Sequence, residues 1–196
     1  MEKVRPEIYK IILSVILCYA LISCNLNKKD AEGFTIYTIE KGNHASNVSL
    51  PVSINKTSFK FKVKFDSSAI YQTADTANQA DINKLYGFIE DSLGNPHVNS
   101  ARVGWRWYKN QLQLLAYVYN NSVIENETII QAVELNKEIT CEINLLNSMY
   151  EFRVDTSNVY VRRYSKSATF AGNKLYPYFG GDEVAPHKIL IYIKDI

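Results

Sequence analysis

Between Ser100 and Asn120 the chain alternates apolar and polar side chains, breaks at Lys109-Asn110, and alternates again. A period of two places neighbouring side chains on opposite faces of an extended strand. A tight turn at Lys109-Asn110, where Asn tolerates positive φ, sets Trp107 opposite Leu112, Trp105 opposite Leu114 and Val103 opposite Ala116. That is a core face. The reverse face collects Arg102, Arg106, Tyr108, Gln111, Gln113, Tyr117 and Tyr119, with Gly104 opposite Leu115. A hairpin with one apolar and one polar face belongs in an antiparallel sheet that covers a core on one side only.

The remainder from Phe34 onward repeats this logic in shorter runs. In Phe59-Lys60-Phe61-Lys62-Val63-Lys64-Phe65 the apolar residues take one face and three lysines the other. Similar runs lie at 34–40, 84–90, 128–135, 138–146, 149–155, 158–164 and 188–194. Residues 67–83 form the one long polar stretch, read as a loop or a short helix near Asp81–Leu85. Around ten short strands predict an all-β fold, a sandwich of two antiparallel sheets spanning 34–196 as one domain. Fourteen tyrosines beside two methionines agree with pleated surfaces. A net charge of +2 excludes a general attraction to nucleic acid, and 46% hydrophobic residues exclude disorder.

The start of the chain reads as an address. Lys3, Arg5 and Lys10 precede an apolar run from Ile11 to Ile22, which as a helix is roughly 20 Å and short for a bilayer core. Residues 1–23 are therefore read as a signal peptide. Leu21-Ile22-Ser23-Cys24 resembles the lipobox of bacterial lipoproteins, which implies cleavage before Cys24 and acylation of its thiol. Several buried acyl chains would hold the protein on the membrane permanently. Loss of 1–23 removes three positive and two negative charges, leaving +1. Polar residues 24–33 then serve as the acylated Cys and a tether. Asn25 after the Cys resembles the sorting pattern for the outer membrane, and Lys29-Asp30-Ala31-Glu32 loosely resembles a surface-export signal, so both the periplasmic and the outer face stay open.

A second resemblance rests on Asn99-Ser100-Ala101-Arg102-Val103-Gly104-Trp105-Arg106-Trp107-Tyr108, on Tyr176-Pro177-Tyr178-Phe179-Gly180-Gly181, and on Ala185-Pro186-His187 with the strand after it. These look like parts of secreted bacterial domains with a concanavalin A-like jelly roll, and the likeness covers about a third of the mature chain. The resemblance implies the fold and a glycan-related setting. It does not choose between lectin-like modules and glycan-cleaving enzymes.

Arginine forks grip carboxylates at two points, tyrosine offers an apolar plate with a hydroxyl, and glutamine both donates and accepts. Arg102, Arg106, Tyr108, Gln113, Tyr117 and Tyr119 thus form a candidate contact face for a polysaccharide, or else a solvated outer face. A second set of this kind is Glu151 and Arg153, with Tyr160, Arg162 and Tyr164. No catalytic residue and no metal site is assigned. His44, His97 and His187 lack zinc spacing, and Cys141 alternates with core residues. Glu90-Asp91 lacks the strand-spaced partner of a glycosidase, and neither a Gly-x-Ser-x-Gly elbow nor a phosphate loop occurs. Asp182, Glu183 and Asp195 could supply oxygens to a structural calcium ion, the one cofactor considered. The four Asn-x-Ser/Thr triplets are read as turn chemistry.

The leading expectation is a lipid-anchored outer-membrane protein whose sandwich binds glycan without catalysis. One alternative is a polysaccharide lyase or glycoside hydrolase using the same face. Another is a structural or assembly lipoprotein that binds proteins there.

Overall fold

The computed structural model describes residues 28–48, 51–90, 94–125, 127–165 and 169–196. Cys24 and the signal-like segment lie outside the described residues. Among the described residues thirteen strands run in chain order: β1 Thr35–Ile39, β2 Ser53–Lys56, β3 Ser58–Phe65, β4 Asn83–Ile89, β5 Ser100–Tyr108, β6 Gln111–Asn120, β7 Val123–Ile124, β8 Thr128–Val133, β9 Ile139–Leu146, β10 Met149–Val154, β11 Ser157–Arg162, β12 Phe170–Leu175 and β13 Ile189–Asp195. The first sheet has the order β1-β13-β3-β9-β10-β11 and the second β2-β12-β4-β5-β6-β7, with β8 also on β6. All pairings are antiparallel, and the two sheets make the expected jelly-roll sandwich.

The central hairpin has the register expected of it. Trp107 faces Leu112, Trp105 faces Leu114 and Val103 faces Ala116. Lys109 and Asn110 both take positive φ, 52° and 57°, which matches the twist of the strands that a two-residue turn must join. Asn121 with Ser122, Asn147 and Asp155 occupy the same left-handed region in other turns, where Asn and Asp are best tolerated. Trp105 is fully buried against Phe65, Tyr71 and Phe179. Cys141 is buried between the sheets, and burial pushes its thiol up.

Three features differ from the sequence reading. Residues 67–83 hold two short 3-10 turns, Ser67–Ala69 and Thr76–Ala80, capped by Asp66 and Asp75; the helix near Asp81–Leu85 does not form because β4 begins there. Strands β2, β7 and β12 went unseen, since they are short and mostly lie at sheet edges where one face need not be apolar. Residues 28–33, expected as tether, fold onto the first sheet. Lys29 bridges Thr35, the Asp30 carboxylate accepts the Phe34 amide at 2.8 Å, and Lys64 pairs with Asp30 and Glu32 while lying 4.2 Å from the Phe34 ring centre.

Sheet-to-sheet contact is pinned at one end by a charged group. Glu90, just past β4, accepts from the fully buried Arg163 and from the Tyr150 hydroxyl, joining the second sheet to the first. Glu90 is thereby committed to structure.

Candidate functional site

The outward face of the second sheet carries the expected set, but not as a wet surface. Arg102, Gln113 and Tyr117 are only 6%, 8% and 6% exposed. Loops lie over them. Gly104 has no side chain, and Ile82 fills the space above it, 2.4 Å from where a Cβ would stand. Ile82, Leu115 and Tyr117 make a small apolar wall there, joined by Tyr119.

Arg106 and Gln113 hold this cover in place. Arg106 Nε donates to Gln113 Oε1 at 2.9 Å and Nη1 donates to the Ala80 carbonyl at 2.6 Å. Both are thus engaged within the protein, and Tyr108 lies against the Arg106 guanidinium. Of the six candidate contact residues, Arg102, Tyr117 and Tyr119 cluster, while Arg106, Tyr108 and Gln113 form a neighbouring support.

Arg102 is different. Its Nε and Nη2 are buried and have no hydrogen-bond partner. The guanidinium carbon lies 4.9 Å from the centre of the Tyr117 ring. Burial pulls the group down to about 10, against the pull of Tyr117, Tyr119 and Tyr178. A buried cation without a carboxylate is costly, by several kcal/mol in ordinary cases. Gly87 sits opposite Arg102, and a Cβ there would strike the Ala101 carbonyl and the Arg102 Cα, so the strands approach closely at this point.

Lys84 joins the cluster through a β-bulge. The register of β4 against β5 shifts between Lys84 and Tyr86, so Leu85 and Tyr86 both turn to the core while Lys84 faces out opposite Gly104. The Lys84 ammonium is 4.9 Å from the same Tyr117 ring centre. Burial, then the Arg102 charge, bring Lys84 down to about 8, with Asp81 and Glu127 opposing. Tyr178 exchanges backbone hydrogen bonds with Lys84, both 2.9 Å, and its half-exposed ring stacks on His44. His97 meets the edge of Tyr119, and burial with the Arg102 and Lys84 charges depresses its pKa. Period-two counting from Tyr86 and Phe88 would set Lys84 on the core face, so only a bulge signal could have found it.

The arrangement presents two desolvated cations amid phenol hydroxyls and apolar side chains. It can take a carboxylate at Arg102 and hold a basic amine beside it. The oxygens considered for calcium are not brought together. Glu183 accepts from the Ala74 and Asp75 amides and from Asn78, whereas Asp195 accepts from Tyr86 and Lys174. Among the described residues no group of three His, Cys, Asp or Glu could hold a metal ion. His187 bonds the Ser68 carbonyl in a loop.

No protein-family profile matches the chain, and no curated protein matches it. Solved structures do. Alginate lyase vAL-1 from Chlorella virus superimposes with a TM-score of 0.56 at 13% identity, over 87% of this chain and 86% of that one. Alginate lyase AlyC3 gives 0.55 at 12% identity, over 86% and 75%. Alginate lyase A1-II', described as a member of polysaccharide lyase family-7, gives 0.54 at 10% identity, over 86% and 82%. At such identities the likeness is one of fold: the chain has the jelly roll on which these lyases are built.

Proposed function

We propose that this protein binds a uronate-bearing polysaccharide, of which alginate is the type, on the outward face of its second sheet and cleaves it by β-elimination. The observation that carries the reading is the buried guanidinium of Arg102, its Nε and Nη2 without partners, beside Lys84. A uronate carboxylate would supply the missing acceptors and counter-charge. Neutralising that carboxylate acidifies the adjacent C5–H, the first need of elimination.

The rest of the chemistry follows from the neighbours. Neutral Lys84 takes the C5 proton; that electron pair forms the C4–C5 double bond; the C4–O bond breaks, and its oxygen takes a proton from the Tyr178 hydroxyl. Depressed basicity leaves part of Lys84 unprotonated near neutral pH. The products are a reducing end and an unsaturated uronate. That three neighbours of the same fold are alginate lyases by name supports the substrate class.

A second reading, binding without cleavage, is favoured by one fact: Arg106 is tied to Gln113 and to the Ala80 carbonyl, which leaves few free groups for catalysis. Incubation with polymannuronate and polyguluronate decides between them. Ultraviolet absorbance from unsaturated uronate, lost in Arg102→Gln, supports elimination; tight binding without absorbance supports the second reading. We place the site on a lipoprotein of the outer membrane anchored through acylated Cys24, supported by the lipobox resemblance. Mass spectrometry of the Cys24 peptide tests the anchor.

A further inference from the structure

On the opposite sheet a carboxylate is buried where a strand face should be wet. Glu151 lies on the side of β10 away from the core, in one cross-strand row between Asn144 of β9 and Tyr160 of β11, yet is only 5% exposed. Its Oε1 accepts from Arg153 Nη2 at 3.0 Å, the Tyr160 hydroxyl at 3.1 Å and Asn158 Nδ2 at 3.4 Å. Its Oε2 accepts from Asn144 Nδ2 at 3.1 Å. Burial opposes the charge on Glu151, but these donors outweigh it and hold the carboxyl below its usual range.

The donors themselves stay outside. Tyr160 is 55% exposed and the Arg153 side chain 52%. Beside them opens a cavity of about 270 Å³ whose wall continues through Asp155, Ser157 and Asn158. Tyrosine and arginine on an open strand normally keep their rotamer freedom, because ordering them costs conformational entropy. Here both are tied to one carboxylate. The result is a fixed aromatic plate with amide and guanidinium donors at its rim, ordered before any ligand arrives.

A pyranose ring matches such a surface, with an apolar face for the plate and hydroxyls for the rim. The local charge selects among pyranoses. Glu151 and Arg153 cancel, and Lys60 opposite Glu142, with Arg162 on the face of Tyr160, offsets Glu142 and Asp155, so the patch has no net charge. Such a balance offers a uronate no counter-charge and suits a neutral ring. We infer that Tyr160, Arg153 and Asn158 form a second carbohydrate subsite, for a neutral pyranose, on the sheet opposite Arg102. It stands on this geometry alone and is independent of the Arg102 reading.

Calorimetric titration of the full chain in a zwitterionic detergent tests it, with gluco-, manno- and galacto-configured neutral tetrasaccharides and with tetramannuronate as probes. At least one neutral probe should bind. Tyr160→Ala should weaken that binding about tenfold, and Tyr160→Phe, which keeps the plate but not its tether, by less. Arg102→Gln should leave it unchanged, so loss of the acidic probe alone bears on the other face only. The inference is overturned if no neutral probe binds at millimolar concentration, if Tyr160→Ala binds as well as the parent, or if only tetramannuronate responds to Tyr160→Ala.

Discussion

Arg102 and Lys84 each stand 4.9 Å from the centre of the Tyr117 ring, two cations on one aromatic side chain. The ring offsets part of their desolvation through its quadrupole. It does not satisfy the N–H groups on Arg102 Nε and Nη2, which are buried and unpaired. The folded protein therefore carries a local electrostatic cost that an anionic ligand would relieve.

Arg102→Met should raise stability by about 1–2 kcal/mol, because an apolar group of similar reach removes a buried, unpaired charge. The same change should abolish binding of acidic polysaccharide. Denaturant midpoints and a binding titration check the pair of outcomes; a large loss of stability would show that the guanidinium is needed by the fold itself.

The elimination rate should rise with pH up to about 8 and then level, since Lys84 must be neutral to accept a proton. Each unit below that point should slow it about tenfold. Polysaccharide binding should weaken as Lys84 loses its charge near 8 and persist in part, because Arg102 keeps its own to about 10. The stability term has the same sign. Folding lowers Lys84 from 10.5, so the unfolded chain holds that proton more tightly, and its penalty is full below about 8 and fades as pH rises toward 10.5. A pH–rate profile in Lys84→Met, with its rising limb gone, checks the assignment.

Breaking the Glu90–Arg163 pair should be severe. Arg163→Met leaves Glu90 buried against Tyr150 without its cation, a loss of about 3–5 kcal/mol. Adding Glu90→Gln should recover most of it, and thermal unfolding of the single and double variants measures the coupling.

Lys64→Ala should free the segment that precedes β1. Its ion pairs with Asp30 and Glu32 are partly exposed, so the loss of global stability should stay under about 1 kcal/mol. Hydrogen exchange at the Gly33 and Phe34 amides, which are bonded to Asp30, should quicken markedly.

The register of β5 against β6 and the division of its two faces were legible in the residues themselves. A strand alternates with period two, and two positive-φ residues close the hairpin, so Trp105 had to face Leu114 and Arg102 had to share a face with Tyr117. The sandwich followed from repeating that logic along the chain. Placement of β12 did not, since Phe170-Ala-Gly-Asn-Lys-Leu175 carries no alternation and pairs only through long-range contact with β2 and β4.

What alternation cannot encode is what covers a face. The amino-acid order determined that Arg102, Arg106, Tyr117 and Tyr119 would point away from the core. Only the tertiary structure decided that Ile82 would lie over Gly104, that Arg106 would reach across to Ala80, and that a bulge would turn Lys84 outward beside Arg102. The physical reason is range: face and register come from local backbone geometry, whereas burial, and with it the strength of every charge on that face, comes from segments far away in sequence.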